Sequence, residues 1–505
     1  MINWLFSKDE EYLQKKLLSI GTLLLILLTS CSQVTPTTPS INPIEMDQAY
    51  TTPSEASLPT VVSEPISTPT EIEVEVTSEI SMAHLLGDKS AFGVELHDFD
   101  TLEKAVDANI HWLRYNALLW SDYQPNGPDE FIADEELETE MIAVSHAGME
   151  LILIVRSTPT WAQKYEGYFC GPMGEEYLDY FASFMGQLVE KYSVEPYNVN
   201  FFELWNEPDE ARARVYAPDA VLGCWGEVDD PEFGGDYYAE MLKVVYPVIK
   251  KANPRAQLVL GGLVLPCEPG GDSYCEMSRF LEGILKVGGG DYFDFVNFHS
   301  YTAYDPSQSS VILMEKNEYW WADSGGQVEG RLAYLNKLLE TYQVEKPIIL
   351  TEVALIDPND AASDDLAAYE QDKAEYLVWL YVRNSARGIK VTNWYHLDRY
   401  GWLKGGLLDE ANHPLPVYEA YQVLTKALNR TEFKHEIRLA GKTLIFEFSG
   451  DGRRVWILFS EDGSPRSINA IGSFITAYDL FGDPVEPSQQ GIITFERPIY
   501  IELEP

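Results

Sequence analysis

From about residue 90 the chain alternates short apolar runs with longer amphipathic segments. The short runs are AFGVEL (91–96), HWLRY (111–115), ELILIV (150–155), VNFFELW (199–205), QLVLGGL (257–263), FDFVNF (293–298), PIILT (347–351) and KVTNW (390–394). Their length, branched residues and flanking turn chemistry predict buried parallel strands. Between them lie segments with helical spacing, among them EEYLDYFASFMGQLVEKY (175–192), YYAEMLKVVYPVIKKA (237–252) and LAAYEQDKAEYLVWLYVRNSAR (366–387), the last followed by Gly388 as a stop signal. Strands that each lead into a helix predict an α/β fold of the (β/α)8 TIM-barrel type over residues 86–430. An open doubly wound sheet is the competing architecture, but no Gly-rich phosphate fingerprint follows the first strand.

After PVYEAYQVLTKALNR (416–430) the period changes. Residues 431–505 hold alternating runs such as TLIFEFS, RVWILFS, FITAYDL and IYIEL, separated by turns such as SGDGRR and EDGSPR, which predict a small C-terminal antiparallel β-sandwich supporting the barrel. The tetrapeptide AGKT (440–443) ends like a phosphate loop, but Glu436 stands where that loop needs its first glycine.

At the N-terminus, Lys15 and Lys16 precede LLSIGTLLLILL (17–28), about the length of a secretory signal and short for a membrane span. The LTSC that follows resembles the lipobox of bacterial lipoproteins, which implies a signal peptide over 1–31 and a lipid on Cys31. An ordinary secretory signal with an incidental cysteine is the alternative; both imply export. Residues 32–85 are rich in Pro, Thr, Ser and Glu and read as a disordered tether. Four cysteines remain, an even number suited to an oxidising compartment. Cys267 and Cys275 bracket a turn-rich loop that a bridge would close, while Cys170 and Cys224 are either a second bridge or buried thiols.

Charge narrows the partners. A net charge of −44 opposes nucleic acid and anionic lipid, so membrane association is expected only through a lipid at Cys31. No HExxH occurs and the histidines are scattered, so neither a metal nor a cofactor is predicted.

In a barrel of this kind the residues following each strand form the working face. The fourth run ends ELWNEPDE and the seventh IILTEVAL, so Glu207 and Glu352 are delivered to one rim. Two carboxyl groups, one protonated and one ionised, are the minimum equipment for cleaving a glycosidic bond. Asn-Glu-Pro after strand four with a glutamate closing strand seven resembles the clan of retaining glycoside hydrolases on (β/α)8 barrels. The layout with a small β-domain is similar to glycoside hydrolase family 39 and its relatives. That resemblance implies Glu207 as acid/base and Glu352 as nucleophile, acting on an oligo- or polysaccharide.

Glu207 is expected to be kept protonated by a dry aromatic setting, and Glu352 to be kept ionised by nearby donors. Arg114, ending the second run, is the candidate positive charge, with a barrel-holding ion pair as its other reading. Asn206 is the candidate donor to a sugar 2-hydroxyl. His299 and Tyr301, in FHSYTAY after strand six, should point to the same mouth, the tyrosine toward the nucleophile. The resemblance makes Trp394 the floor of the sugar subsite; core packing is the alternative. Trp161 and Trp225, in the third and fourth loops, and Trp120 are further candidates for lining subsites. The rival from another class is a surface carbohydrate-binding protein that kept the scaffold and lost turnover.

Overall fold

The computed structural model describes residues 90–215, 222–270, 272–358, 365–470 and 473–505. The expected signal peptide, Cys31 and the tether over 32–85 lie outside the described residues. Among the described residues no helix is long and apolar enough to cross a membrane.

The parallel strands are β1 (Phe92–Glu95), β2 (Trp112–Leu119), β3 (Glu150–Arg156), β4 (Phe201–Leu204), β5 (Gln257–Leu260), β6 (Val296–Ala303), β7 (Ile348–Ile356) and β8 (Thr392–Trp394). They pair in the order β5-β4-β3-β2-β1-β8-β7-β6, a curled eight-stranded sheet of TIM-like α/β type. Parallel bridges Val259–Phe295 and Leu263–Phe298 connect the two strands at the ends of that order.

Side-chain period two explains the interior. Trp112, Ile152, Phe201, Val259, Phe295, Ile349 and Val391 form one buried apolar layer inside the curl. At β1 the corresponding position is Gly93, where a Cβ would lie 1.9 Å from Asn393 Oδ1 and 2.9 Å from Trp112 Cβ, so only glycine lets the interior close. Two residues further along the strands the same face carries Glu95, Arg114, Glu203, Asn297, Thr351 and Asn393, all buried. The curl therefore changes from apolar to polar within one step of the pleat.

Four strands run past their expected ends: β2 to Leu119, β3 by one residue to Arg156, β6 to Ala303 and β7 to Ile356. His299, Tyr301 and Glu352 thus belong to strands rather than to loops, while Arg114 lies in β2 as expected. The apolar runs stop earlier because inward positions turn polar there, not because pairing stops.

Helices cover the outer face, including Leu178–Tyr192, Gly235–Ala252 and Leu366–Ala386. The last is buried along most of its length. Its inner side meets the sheet, and its Trp379 ring meets Phe446 and Phe459 of the C-terminal region at 5.9 and 5.3 Å.

That region contains β9 (Glu432–Leu439), β10 (Thr443–Gly450), β11 (Arg453–Ser460), β12 (Arg466–Asn469), β13 (Phe474–Tyr478), β14 (Ile492–Phe495) and β15 (Ile499–Leu503). They make a five-stranded antiparallel sheet, β13-β15-β11-β10-β9, and a two-stranded ribbon, β12-β14. Leu444, Phe446, Phe448, Val455, Ile457 and Phe459 join the main core. Alternate residues Ile445 and Leu458 pack with Ile493 and Phe495 of the ribbon. The AGKT stretch is the β9–β10 turn, with Gly441 and Lys442 both at positive φ.

Candidate active site

Arg114 organises the polar end of the curl. It is fully buried. Its Nε and Nη2 donate to the two oxygens of Glu203 at 3.0 and 2.8 Å, a two-point fork. Nη1 donates to Glu95 and to Glu352, and Nη2 also reaches Asn206 Oδ1 at 2.8 Å. One side chain thus ties the carboxylates of β1 and β4 together and also donates to Glu352. Because its Oδ1 accepts from the guanidinium, Asn206 has its amide nitrogen as the donor end.

Glu207 leaves β4 in a backbone conformation that few non-glycine residues adopt, φ +50°, two residues after Trp205 at φ +64°. Such strain persists only where the surroundings over-determine it. Here Glu207 N donates to Gly262 O at 3.1 Å, and the buried indole of Trp205 donates to Cys170 O at 2.9 Å. Asp209 ties the same loop to the β5 loop, accepting from Val264 N at 3.0 Å and Leu265 N at 3.2 Å. The disulfide Cys170–Cys224 joins the loop after β3 to the segment following Glu207, and Cys267–Cys275 closes the β5 loop.

Glu352 faces the interior because β7 is irregular. Pairing with β6 moves from Phe298–Leu350 to His299–Glu352, skipping Thr351. The bulge lets Thr351 and Glu352, neighbours that strict alternation would oppose, share one face. His299 lies between the two candidate carboxylates: Nδ1 is 3.0 Å from Glu207 Oε1 and 3.5 Å from Glu352 Oε2. One oxygen each from Glu207 and Glu352 and a nitrogen of His299 lie within 4.8 Å of one another. The ring fits because position 262 is glycine; a Cβ there would stand 1.9 Å from His299 Nε2. Tyr301 donates its hydroxyl hydrogen bond to Glu352.

Electrostatics follow from burial and from one guanidinium facing several carboxylates. Burial raises the Glu95 carboxyl, but Arg114 and His97 overcome it and hold it at about 2. Burial also raises Glu352, with Glu95 and Glu207 adding to it; His299 and Arg114 oppose without prevailing, so the group sits above the ordinary carboxylate range. This differs from the simple expectation of an ionised nucleophile held low by donors. Burial pushes His299 down, and Tyr301 is pushed well up by burial and by the charge of Glu352.

The aromatic residues need correction. Trp394 is 0% exposed, its indole donates to Gly405 O at 2.7 Å, and its ring lies 6.2 Å from Tyr376 of the covering helix. It is a packing residue with no face to offer a sugar. Trp120 and Trp225 are likewise buried. Trp161 is half-buried and held among Trp120, Tyr177 and Tyr180 at 5.5, 5.5 and 6.2 Å, its indole donating to Gln124 O. The aromatic groups beside the carboxylates are instead Tyr395 and Trp402, whose rings meet Tyr301 edge-on at 5.7 and 4.9 Å.

Sequence reasoning missed Glu95, Glu203, Tyr395 and Trp402. For Glu203 a signal exists: a carboxylate inside the apolar run FFEL, two residues past Phe201, has to be paired in the interior. No comparable signal marks Trp402.

No family model and no curated protein matches the sequence. Among solved structures, the chain is similar to a family 39 glycoside hydrolase from the gut symbiont Bacteroides cellulosilyticus WH2, with 20% identity and a TM-score of 0.62 over 83% of this chain and 81% of that one. It is also similar to a glycoside hydrolase family 30 subfamily 8 xylanase from Clostridium acetobutylicum, at 12% identity and TM-score 0.52, covering 82% and 96% of the two chains. A glucosidase from Croceicoccus marinus matches at 11% identity and TM-score 0.55 over 83% and 96%. These likenesses are of fold, a scaffold that glycoside hydrolases use.

Proposed function

We propose that the protein is a retaining O-glycoside hydrolase acting on β-linked oligo- or polysaccharides, with a (β/α)8 barrel over 86–430 and a supporting C-terminal β-sandwich. It is exported, with a lipid anchor at Cys31. The observation that carries this reading is the approach of Glu207 and Glu352 oxygens to within 4.8 Å. Retaining enzymes hold their carboxyl groups roughly 5–5.5 Å apart and inverting ones roughly 6.5–9.5 Å, to admit a water. The distance here favours direct attack.

In the reaction, a Glu352 oxygen bonds to the anomeric carbon while the bond to the leaving oxygen breaks. Glu207 gives its proton to that oxygen. The resulting glycosyl ester on Glu352 is then attacked by water, whose proton Glu207 takes back, releasing Glu352 as a carboxylate. Arg114 and Tyr301 donate to Glu352 and stabilise the anion that must form before attack. The Asn206 amide nitrogen donates to the 2-hydroxyl, an interaction that strengthens as the ring approaches an oxocarbenium ion.

Turnover of aryl β-glycosides tests the reading. Glu352→Gln should abolish it without changing thermal unfolding, while Glu207→Ala should retain reaction with activated leaving groups and be partly rescued by azide. A substantially active Glu352→Gln refutes the nucleophile. Saccharide binding without turnover of any substrate by the wild type would establish the rival binding protein.

A further inference from the structure

We propose that His97, His396 and Asp398 form a binding site for a divalent transition-metal ion of the Zn2+ class, beside the sugar cleft and separate from its carboxylate pair. β1 and β8 are neighbours in register, Val94 opposite Trp394, so the segments leaving them run together. Leu397 N donates to Glu95 O at 2.9 Å and locks the two. One ligand atom each from His97, His396 and Asp398 lies within 4.8 Å of the others.

Each group is set as a ligand. His97 Nε2 is 2.9 Å from Glu95 Oε1, the carboxylate–histidine pairing that orients metal-binding imidazoles and selects the other nitrogen for the ion. Asp398 is fixed through Oδ2, which accepts from His97 N at 2.8 Å and Asp98 N at 3.1 Å. His396 is 5% exposed, and its buried Nδ1 makes no hydrogen bond. That nitrogen stands 3.4 Å from Asp398 Oδ1. Two ligands bound about 2.0–2.1 Å from a tetrahedral ion lie about 3.3 Å apart, so the pair has the spacing of a coordination edge. The His97 and His396 rings are 4.4 Å apart between centroids, so the two imidazoles lie side by side next to Asp398. Two nitrogen donors favour zinc-like ions over calcium or magnesium, which take oxygen ligands. His97 is part-exposed, leaving a side from which water completes the coordination. The ion would hold the His97 Nε2 proton toward Glu95, whose other oxygen accepts from Arg114, and so stiffen the support of Glu352 without touching substrate.

The test uses the full chain, stripped with a chelator and titrated with Zn2+ alone by calorimetry, with bound metal counted by mass spectrometry. One equivalent is expected. Asp398→Asn, which keeps an oxygen for the backbone amides, and His396→Gln should each weaken binding by about 100-fold or more. Ca2+ should give no heat, and Glu207→Gln should leave zinc affinity unchanged. The absence of stoichiometric zinc, or wild-type affinity in either folded ligand variant, overturns the proposal. So does loss of binding in Glu207→Gln, which would put the ion on the Glu207–His299–Glu352 group.

Discussion

The imidazole Nδ1 of His299 stands 3.0 Å from Oε1 of Glu207, and the direction of that hydrogen bond can be read from its neighbours. The Thr351 hydroxyl donates to Asn297 Oδ1 at 2.9 Å, so its oxygen accepts from His299 Nε2 at 3.1 Å. Burial lowers the pKa of the ring, which favours its neutral form. With Nε2 donating, Nδ1 presents a lone pair that can accept a proton from the Glu207 carboxyl group, the arrangement the proposed general acid needs. His299→Ala is therefore expected to lower kcat/KM by roughly 10- to 100-fold, the worth of a hydrogen bond to an ionisable group. The loss should be greater for poor leaving groups than for activated ones. A series of aryl glycosides measures this; equal loss across the series would rule out a role in proton delivery.

The raised Glu352 carboxyl sets a pH limit. In the proposed mechanism attack needs the anion, so activity should fall as pH drops through the folded-state pKa of this group. Because burial holds that value above 4.5, the acid limb of kcat/KM should lie above pH 4.5. Tyr301→Phe removes a donor to the anion and should move the limb further up. A limb at or below 4.5 would contradict a Glu352 carboxyl raised by burial among its neighbouring carboxylates.

Asp209 gives a stability signature. Burial chiefly, helped by the charges of Glu207 and Glu210, raises it from 3.8 to about 8 against the pull of two backbone donors. With a folded pKa above the unfolded one, the folded state keeps a proton that the unfolded chain has lost. The contribution is complete below pH 3.8 and declines as pH rises to about 8. Asp209→Asn should flatten the fall of stability across that window, at the cost of about 1 kcal/mol where the acid was neutral, since one oxygen acceptor is lost. Urea unfolding at several pH values checks the slope; an unchanged slope would place the titration elsewhere.

The Cys170–Cys224 bridge has a sequence separation of 54 residues and closes a loop that contains Glu207. Chain-entropy arguments assign such a loop about 4 kcal/mol, with measured values often lower. The Cys170→Ala/Cys224→Ala variant is expected to unfold at lower denaturant, and to lose kcat more than a stability change explains, because the strained Trp205–Glu207 backbone relaxes. Full kcat with reduced stability would limit the bridge to a structural role.

The strands, the positions of Glu207, Glu352 and Arg114 at one end of them, and the pairing of Cys267 with Cys275 were legible because each leaves a local trace: an apolar run, a polar residue at its end, two cysteines around a short turn. Trp394 shows where such reading stops. Its neighbour Asn393 points inward against Gly93, so period two sends Trp394 outward beneath the covering helix. An apolar run of three to five residues does not say which of its alternating sets faces the interior.

Hydrophobic periodicity by itself determined that this chain builds repeating strand and helix units, followed by an antiparallel region. What faces what was decided only in three dimensions. A single bulge at Thr351 turns Glu352 inward, and closure of the curl brings Glu95, Glu203 and Arg114, distant along the chain, onto one another. Alternation along a strand is a local property, whereas burial of a charge depends on partners that arrive from other strands, and no stretch of sequence contains them all.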